Sequence, residues 1–226
     1  MWVVQFYRST IGKKIIMAVT GLIGIGFVIG HMAGNLQAFT GRDKLNAYGA
    51  LLHGPLGELL WIVRVVLLVA VVLHVLMAWQ LTTRARAARP IAYKSREPQV
   101  STWASRTMRW GGVLLLAFIV LHILHFTTGQ VDPADWYRRV DVAGRRDVYG
   151  NLVASFHLWW VAAFYLLAMV FLDLHLYHGA WSSVRTLGYA KPSPRPLQRR
   201  IALVMAAVVW LGFSVVPLGV LAGLIH

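Results

Sequence analysis

Apolar residues gather into five long runs along the chain, separated by shorter stretches of charge and turn formers. The runs cover about 15–39, 59–81, 110–128, 152–177 and 201–225. Each is long enough to cross a hydrocarbon core about 30 Å thick as a helix. Backbone in lipid must satisfy its own hydrogen bonds, so each run predicts a transmembrane α-helix. None alternates polar with apolar residues as a membrane barrel strand does. The gaps hold Thr40-Gly41-Arg42-Asp43, Arg84 to Arg106, Gly129 to Gly150, and Lys191-Pro192-Ser193-Pro194-Arg195-Pro196. The expectation is an all-α membrane protein, a single domain over 1–226 built as a five-helix bundle. The first run is too long for the apolar part of a signal peptide and lacks a small-residue cleavage site, so it is expected to stay on the protein.

Composition agrees, with 58% hydrophobic and only 13% charged residues in a chain of 226. A water-soluble domain of this length needs more surface charge. The net charge of +14 is unevenly placed. Arg8, Lys13 and Lys14, then Arg84, Arg86, Arg89, Lys94, Arg96, Arg106 and Arg109 against the single acid Glu97, then Arg185, Lys191, Arg195, Arg199 and Arg200, all fall on one side of a five-span chain. On the other side Arg42, Lys44, Arg138, Arg139, Arg145 and Arg146 are balanced by Asp43, Glu58, Asp132, Asp135, Asp141 and Asp147. Basic excess marks the cytoplasmic side, so the N-terminus is expected inside and the C-terminus outside a cell (inner) membrane. The positive charge then reads as topology and attraction to anionic lipid rather than to nucleic acid. With no cysteine in the sequence, disulfides, iron–sulfur ligation and covalent haem attachment are excluded for this chain.

Histidine carries the candidate chemistry. Of the nine present, all but His53 and His226 lie within the apolar runs or, for His178, one residue past the end of one. An ionisable side chain in hydrocarbon is a functional hypothesis by default; the alternative is a histidine that merely bridges helices. Depth sharpens the choice, at about 1.5 Å of rise per residue. His31 and His122 come late in helices running outward, so both lie in the outer half. His74 and His175 come past the middle of helices running inward, so both lie in the inner half. Two imidazoles at one depth on different helices are what a bis-histidine haem requires. Two pairs follow, His31 with His122 and His74 with His175, and two stacked haems would form an electron path across the membrane.

Small residues sit beside these positions: Gly24, Gly30 and Gly34 near His31, Ala70 and Ala78 around His74, and Gly179 after His175. Such residues also serve plain helix packing. His125 and His178 lie one turn from His122 and His175, so spacing leaves the ligand in each of those two helices open. A copper or zinc site would gather its histidines at one depth, often with cysteine or carboxylate. The cytochrome b of quinol:cytochrome c reductases carries two ligands about 13 residues apart on each of two helices, which the wider His157/His175 interval does not match.

Several ordered motifs carry a resemblance. Ser9-x-x-Gly12-Lys13-Lys14 precedes a first helix ending His31-Met32-x-Gly34-Asn35-Leu36. Leu59-Leu60-Trp61-x-x-Arg64 opens the second helix, and Ala88-Arg89-Pro90-x-x-Tyr93 follows it. Ser105-Arg106-Thr107, Phe118-Ile119-Val120-Leu121-His122, His175-Leu176-Tyr177-His178-Gly179-x-Trp181-Ser182 and Thr186-Leu187-Gly188 complete the series. Together they resemble the dihaem cytochrome b membrane anchor of succinate dehydrogenase and fumarate reductase, in its single-subunit five-helix form. The resemblance implies His31, His74, His122 and His175 as axial ligands of two haem b groups, with His122 chosen over His125 and His175 over His178. It also implies a flavoprotein subunit carrying FAD and an iron–sulfur subunit at the cytoplasmic face, and a membrane quinone, menaquinone by expectation. The chain itself would hold no dicarboxylate-converting site and act as the electron-transfer subunit of the oxidoreductase.

Three further positions are weighed. Asp173, two residues before His175, is a candidate for a proton path beside the inner haem; otherwise it is a headgroup-level acid. Arg64 is a candidate partner for a propionate of the outer haem, or else a cation reaching to the interface. His53 and Glu58 are a candidate titratable pair at a quinone site, against the plainer reading of a solvated loop. The alternatives to the whole reading are the cytochrome b anchor of another dehydrogenase or hydrogenase, and a transporter with a histidine proton relay.

Overall fold

The computed structural model describes residues 2–89, 91, 102–189 and 197–226. Pro90, Tyr93, Lys94, Arg96, Glu97, and the run Lys191 to Pro196 lie outside the described residues. In order, the helices are α1 (Trp2–Arg8), α2 (Thr10–Leu36), α3 (Arg42–His53), α4 (Gly57–Ala87), α5 (Trp103–His122), α6 (Val148–His157), α7 (Trp159–Thr186) and α8 (Leu197–Leu221). Five stretches are long and apolar enough to cross a membrane: Thr10–Thr40, Gly57–Ala87, Trp103–Thr127, Trp159–Thr186 and Leu197–Leu221. The all-α, five-span expectation holds, and the protein is a multi-pass membrane protein.

The helix ends differ from the apolar runs. α2, α4 and α5 extend into polar sequence because a helix needs hydrocarbon-compatible side chains only inside the hydrocarbon. α2 starts where the Ser9 hydroxyl accepts from Gly12 N at 2.8 Å. α5 starts at Trp103, seven residues before the expected boundary at Trp110, behind a reciprocal cap that joins Thr102 and Ser105 at 2.9 and 3.2 Å. The fourth run is corrected more deeply. It breaks at Leu158, whose backbone is extended (φ −74°, ψ 99°), into α6 and α7. Hydropathy is equally high on both sides of the break, so composition carries no mark of it. His157 therefore ends α6 and is exposed, rather than lying in a spanning helix. The first connection also holds a full helix, α3, entered through Gly41 at φ 99°, a conformation that favours glycine.

α7 lies centrally, packed on α2, α5 and α8, while α2 also packs on α4. Much of the apolar surface faces outward: Leu68 is 66% and Trp79 65% exposed on α4. Lipid is as apolar as a protein core, so this surface needs no protein cover. The larger buried cluster lies toward α3 and α6, with Leu45, Tyr149, Leu152, Phe156, Val161, Tyr165, Val216 and Val220. At the opposite end, Lys13 on α2 is buried, donates to Gln80 Oε1 on α4 and sits 4.0 Å over the Tyr7 ring. Arg84 donates to the Arg8 carbonyl at 2.9 Å, so the basic N-terminus and the basic end of α4 meet.

A polar clasp closes the α3 end. Asn46, fully buried, donates to Asp147 Oδ1 at 2.9 Å and Asp141 Oδ2 at 3.1 Å, and its own oxygen accepts from Tyr149 N at 2.9 Å. Asp147 also accepts from Trp136 Nε1 and Gly150 N. Arg145 ties Asp141 to Asp43, with 2.7 Å to each. Burial pushes the Asp141 carboxyl up, but hydrogen bonds from Arg145, Asn46 and Ala143 overcome it and hold the pKa down at about 2. For Asp147, burial is likewise outweighed, by bonds from Asn46, Gly150 and Trp136, and its pKa is lowered.

Both carboxyls are thus more acidic folded than unfolded, so their stabilisation is whole above the ordinary value of 3.8 and is lost as pH falls toward about 2. Thermal unfolding in detergent should show a midpoint that drops between about pH 4 and pH 2, with a shallower drop in Asp141→Asn. Asn46→Ala should lower stability by about 1–3 kcal/mol at neutral pH by stripping partners from a buried acid; an unchanged midpoint would remove the clasp from the account of stability.

Candidate functional site

Four spans each bring one histidine to a facing partner. His31, late in α2, meets His122, the last residue of α5, with ring centres 5.7 Å apart and planes at 75°. His74 on α4 meets His175 on α7 at 6.1 Å and 54°. Two metal–imidazole bonds of about 2 Å, with about 1 Å from each nitrogen to its ring centre, add to about 6 Å. Both separations therefore suit one metal ion held between opposed imidazoles. Neither α2 with α5 nor α4 with α7 is a closely packed pair, so the backbones carrying each pair stand apart.

Glycines leave room around the pairs. A Cβ added at Gly24, Gly30 or Gly179 would meet nothing within 4 Å, which is space a flat macrocycle can use. At Gly21 the same atom would lie 3.2 Å from His74 Cε1, and at Gly112 3.7 Å from His175 Cε1, so these glycines admit the imidazoles. Gly34 serves a different purpose, giving Tyr48 of α3 its place 3.2 Å away. Aromatic rings wall the first pair: Phe27 stacks on His31 at 5.3 Å and Phe118 on His122 at 5.7 Å.

The nitrogens sort the histidines further. His74 Nδ1 lies 3.1 Å from the Met17 carbonyl and 3.3 Å from Thr20 Oγ1. A carbonyl only accepts, so Nδ1 carries the proton and Nε2 keeps its lone pair. That division is the one metal-bound histidines use. His175 Nδ1 is buried without a hydrogen-bond partner among the described residues. His31 Nε2 receives a long 3.4 Å contact from Asn35 Nδ2, which donates more closely, at 2.8 Å, to the His31 carbonyl.

The two neighbours one turn away have other surroundings. His125 is buried with both nitrogens engaged, Nδ1 to Tyr165 Oη at 2.9 Å and Nε2 to Ser155 Oγ at 3.0 Å. A π-helical turn over Ile123–Thr127 carries it toward α6 and α7. His178 lies edge-on to Trp181 at 5.8 Å, and its Nδ1 is buried without a hydrogen-bond partner among the described residues. No described residue hydrogen-bonds or ion-pairs with Asp173, which is half-buried on α7. Arg64 is half-buried, 3.5 Å from His53 Nε2 and 5.1 Å over the Trp61 ring. His53 and Glu58 are both exposed, and it is Arg64 rather than Glu58 that the structure joins to His53.

Sequence reading passed over Tyr165, Ser155 and Asn151, whose signal was a polar group within an apolar run or, for Asn151, at its edge. It also passed over a cavity of about 340 Å³ at the N-terminal end, lined by Ile11, Lys14, Trp181, Ser182, Arg185 and Thr186. Trp181 Nε1 is buried there with no hydrogen-bond partner among the described residues.

The family described as Succinate dehydrogenase/Fumarate reductase transmembrane subunit matches residues 82–215, more than half of the chain, including His122 and His175. No curated protein matches the chain, and no solved structure does. Five apolar spans and this match lead to one conclusion: the chain belongs to the succinate dehydrogenase/fumarate reductase transmembrane subunit family.

Proposed function

We propose that the chain is the single-subunit, two-haem cytochrome b anchor of a succinate:quinone oxidoreductase. The observation that carries this reading is the pair of facing histidine couples, His31/His122 and His74/His175, at ring separations of 5.7 and 6.1 Å. Haem b supplies a one-electron relay between its ferric and ferrous states when held by two such imidazoles. The chain's own part is to hold the imidazoles neutral and opposed, to keep their helices apart and to exclude water with Phe27, Phe118 and Phe213. His125 is left out of the ligand set because both its nitrogens are engaged, and His178 because it faces Trp181 and not an opposed histidine.

Carboxylates of the bound groups need cations at the two ends of the bundle. Arg64 fills that role at the α3 end, and Lys14 with Arg185 beside the Trp181 cavity at the other. The reading takes residues 1–226 as one domain, with the N-terminus in the cytoplasm and the C-terminus outside. The basic N-terminal end, where Arg8 and Arg84 meet, then faces the iron–sulfur subunit and, through it, the FAD-bearing flavoprotein. Electrons from succinate, or toward fumarate, exchange with a quinone, for which menaquinone is our choice. His53 and Glu58 at the α3 end are assigned to its site and Asp173 to proton movement near His175.

The purified complex should contain two b haems per copy of this chain by pyridine haemochrome assay. His31→Ala and His122→Ala should each abolish the same reduced-minus-oxidised band, and His74→Ala and His175→Ala the other. His125→Ala and His178→Ala should keep both; loss of different bands from partners in one couple would sink the pairing. Gly30→Leu should leave the protein membrane-inserted and folded but cut haem content at the His31/His122 couple at least several-fold. Mass spectrometry of the co-purifying subunits should find a flavoprotein and an iron–sulfur protein; a different dehydrogenase or a hydrogenase there would replace the partner assignment while keeping the haem one.

A further inference from the structure

A line of buried polar side chains runs from His122 away from the facing couple. His122 Nδ1 lies 3.4 Å from Tyr165 Oη, and Tyr165 Oη 2.9 Å from His125 Nδ1. His125 Nε2 lies 3.0 Å from Ser155 Oγ, and the Ser155 hydroxyl donates to Asn151 Oδ1 at 3.4 Å. Tyr165, His125, Ser155 and Asn151 are all buried, with exposures of 8%, 5%, 0% and 4%. The line joins the end of α5 to α7 and α6.

Its direction follows from the last member. An amide oxygen only accepts, so the Ser155 proton points at Asn151. Ser155 Oγ must then accept, which places the His125 proton on Nε2 and leaves Nδ1 bare. Bare Nδ1 takes the single Tyr165 proton, and the tyrosine oxygen is left to accept from His122 Nδ1–H. The proton of His122 is thus assigned to Nδ1, and its Nε2 lone pair is free. Each donor in the line points the same way, and low dielectric strengthens such a chain.

We infer that Tyr165, His125, Ser155 and Asn151 form an oriented hydrogen-bonded chain that sets the tautomer of His122 and, resting on the two-haem reading above, tunes the haem held there. Tyr165 and His125 are positioning residues in this account. An acceptor on the far nitrogen of a metal-bound histidine makes it a stronger donor to the metal. A stronger donor favours ferric over ferrous iron, so the chain lowers the potential of the His31/His122 haem. The His74/His175 haem lacks it, because His74 uses the Met17 carbonyl instead.

The test is a redox titration of the whole purified complex, following each haem band separately, in the parent, Tyr165→Phe and Ser155→Ala. Tyr165→Phe should shift the ferric-to-ferrous preference of the His122 haem about 10-fold toward ferrous, a rise of about 59 mV for one electron, with the other haem unmoved. Ser155→Ala, two links further out, should move the same haem in the same direction by less. An unchanged potential in Tyr165→Phe at full haem content overturns the chain, since a purely structural hydrogen bond would leave the potential in place. Should Tyr165→Phe lose the haem, Ser155→Ala decides: an upward shift supports the chain and none overturns it. Retention of both haems in His122→Ala overturns the ligand assignment and the chain together. Loss of one haem there, with no shift in the Tyr165 and Ser155 variants, overturns the chain alone.

Discussion

Two pairs of helices in this bundle are held apart while everything around them closes up. The backbones of α2 and α5, and of α4 and α7, stand off by the span of two opposed imidazoles. Burying a polar ring in hydrocarbon is costly, so four imidazoles within a bundle set strong demands on their neighbours. Gly21 of α2 and Gly112 of α5 lie against imidazoles, and Phe27 and Phe118 stack on the rings of the first couple. The central place of α7 follows too, since it must reach His74 across one gap while packing on α2, α5 and α8.

What the amino-acid pattern revealed, and what it hid, divides along physical lines. Spans were legible because lipid imposes one requirement on some twenty consecutive residues at once. The pairing by depth was legible because rise per residue is constant along a helix. Rotation about a helix is a finer matter: the π-helical turn at Ile123–Thr127, which no residue type announces, carries His125 toward Tyr165 and Ser155 while His122 faces His31. The break at Leu158 falls inside an unbroken apolar run without proline or glycine, so hydropathy passes over it. α3 was missed for the opposite reason, its sequence being too polar to register as a span and its start hidden behind Gly41.

The two ends of the bundle use different chemistry. At the N-terminal end, cations lie near aromatic rings and carbonyls: Lys13 over Tyr7, Arg84 on the Arg8 carbonyl, Arg185 5.3 Å over Trp181. At the α3 end, acids and amides interlock with backbone N–H groups and leave little net charge unmatched. A surface of the first kind stays open to an acidic partner or anionic lipid, whereas the second is closed upon itself.

The clasp at the α3 end also sets an order of events as the chain is made. Asn46 and Asp147 are 101 residues apart, with the second and third apolar runs between them. At synthesis rates of about 5–20 residues per second, Asn46 waits roughly 5–20 seconds before its acid exists. During that interval α3 lies in water or at the headgroups, where an unmatched amide is harmless. The bundle can therefore thread its early helices singly and lock only when α6 arrives, so a late-acting fastener, and not the first helical hairpin, completes the mature arrangement around His31 and His122.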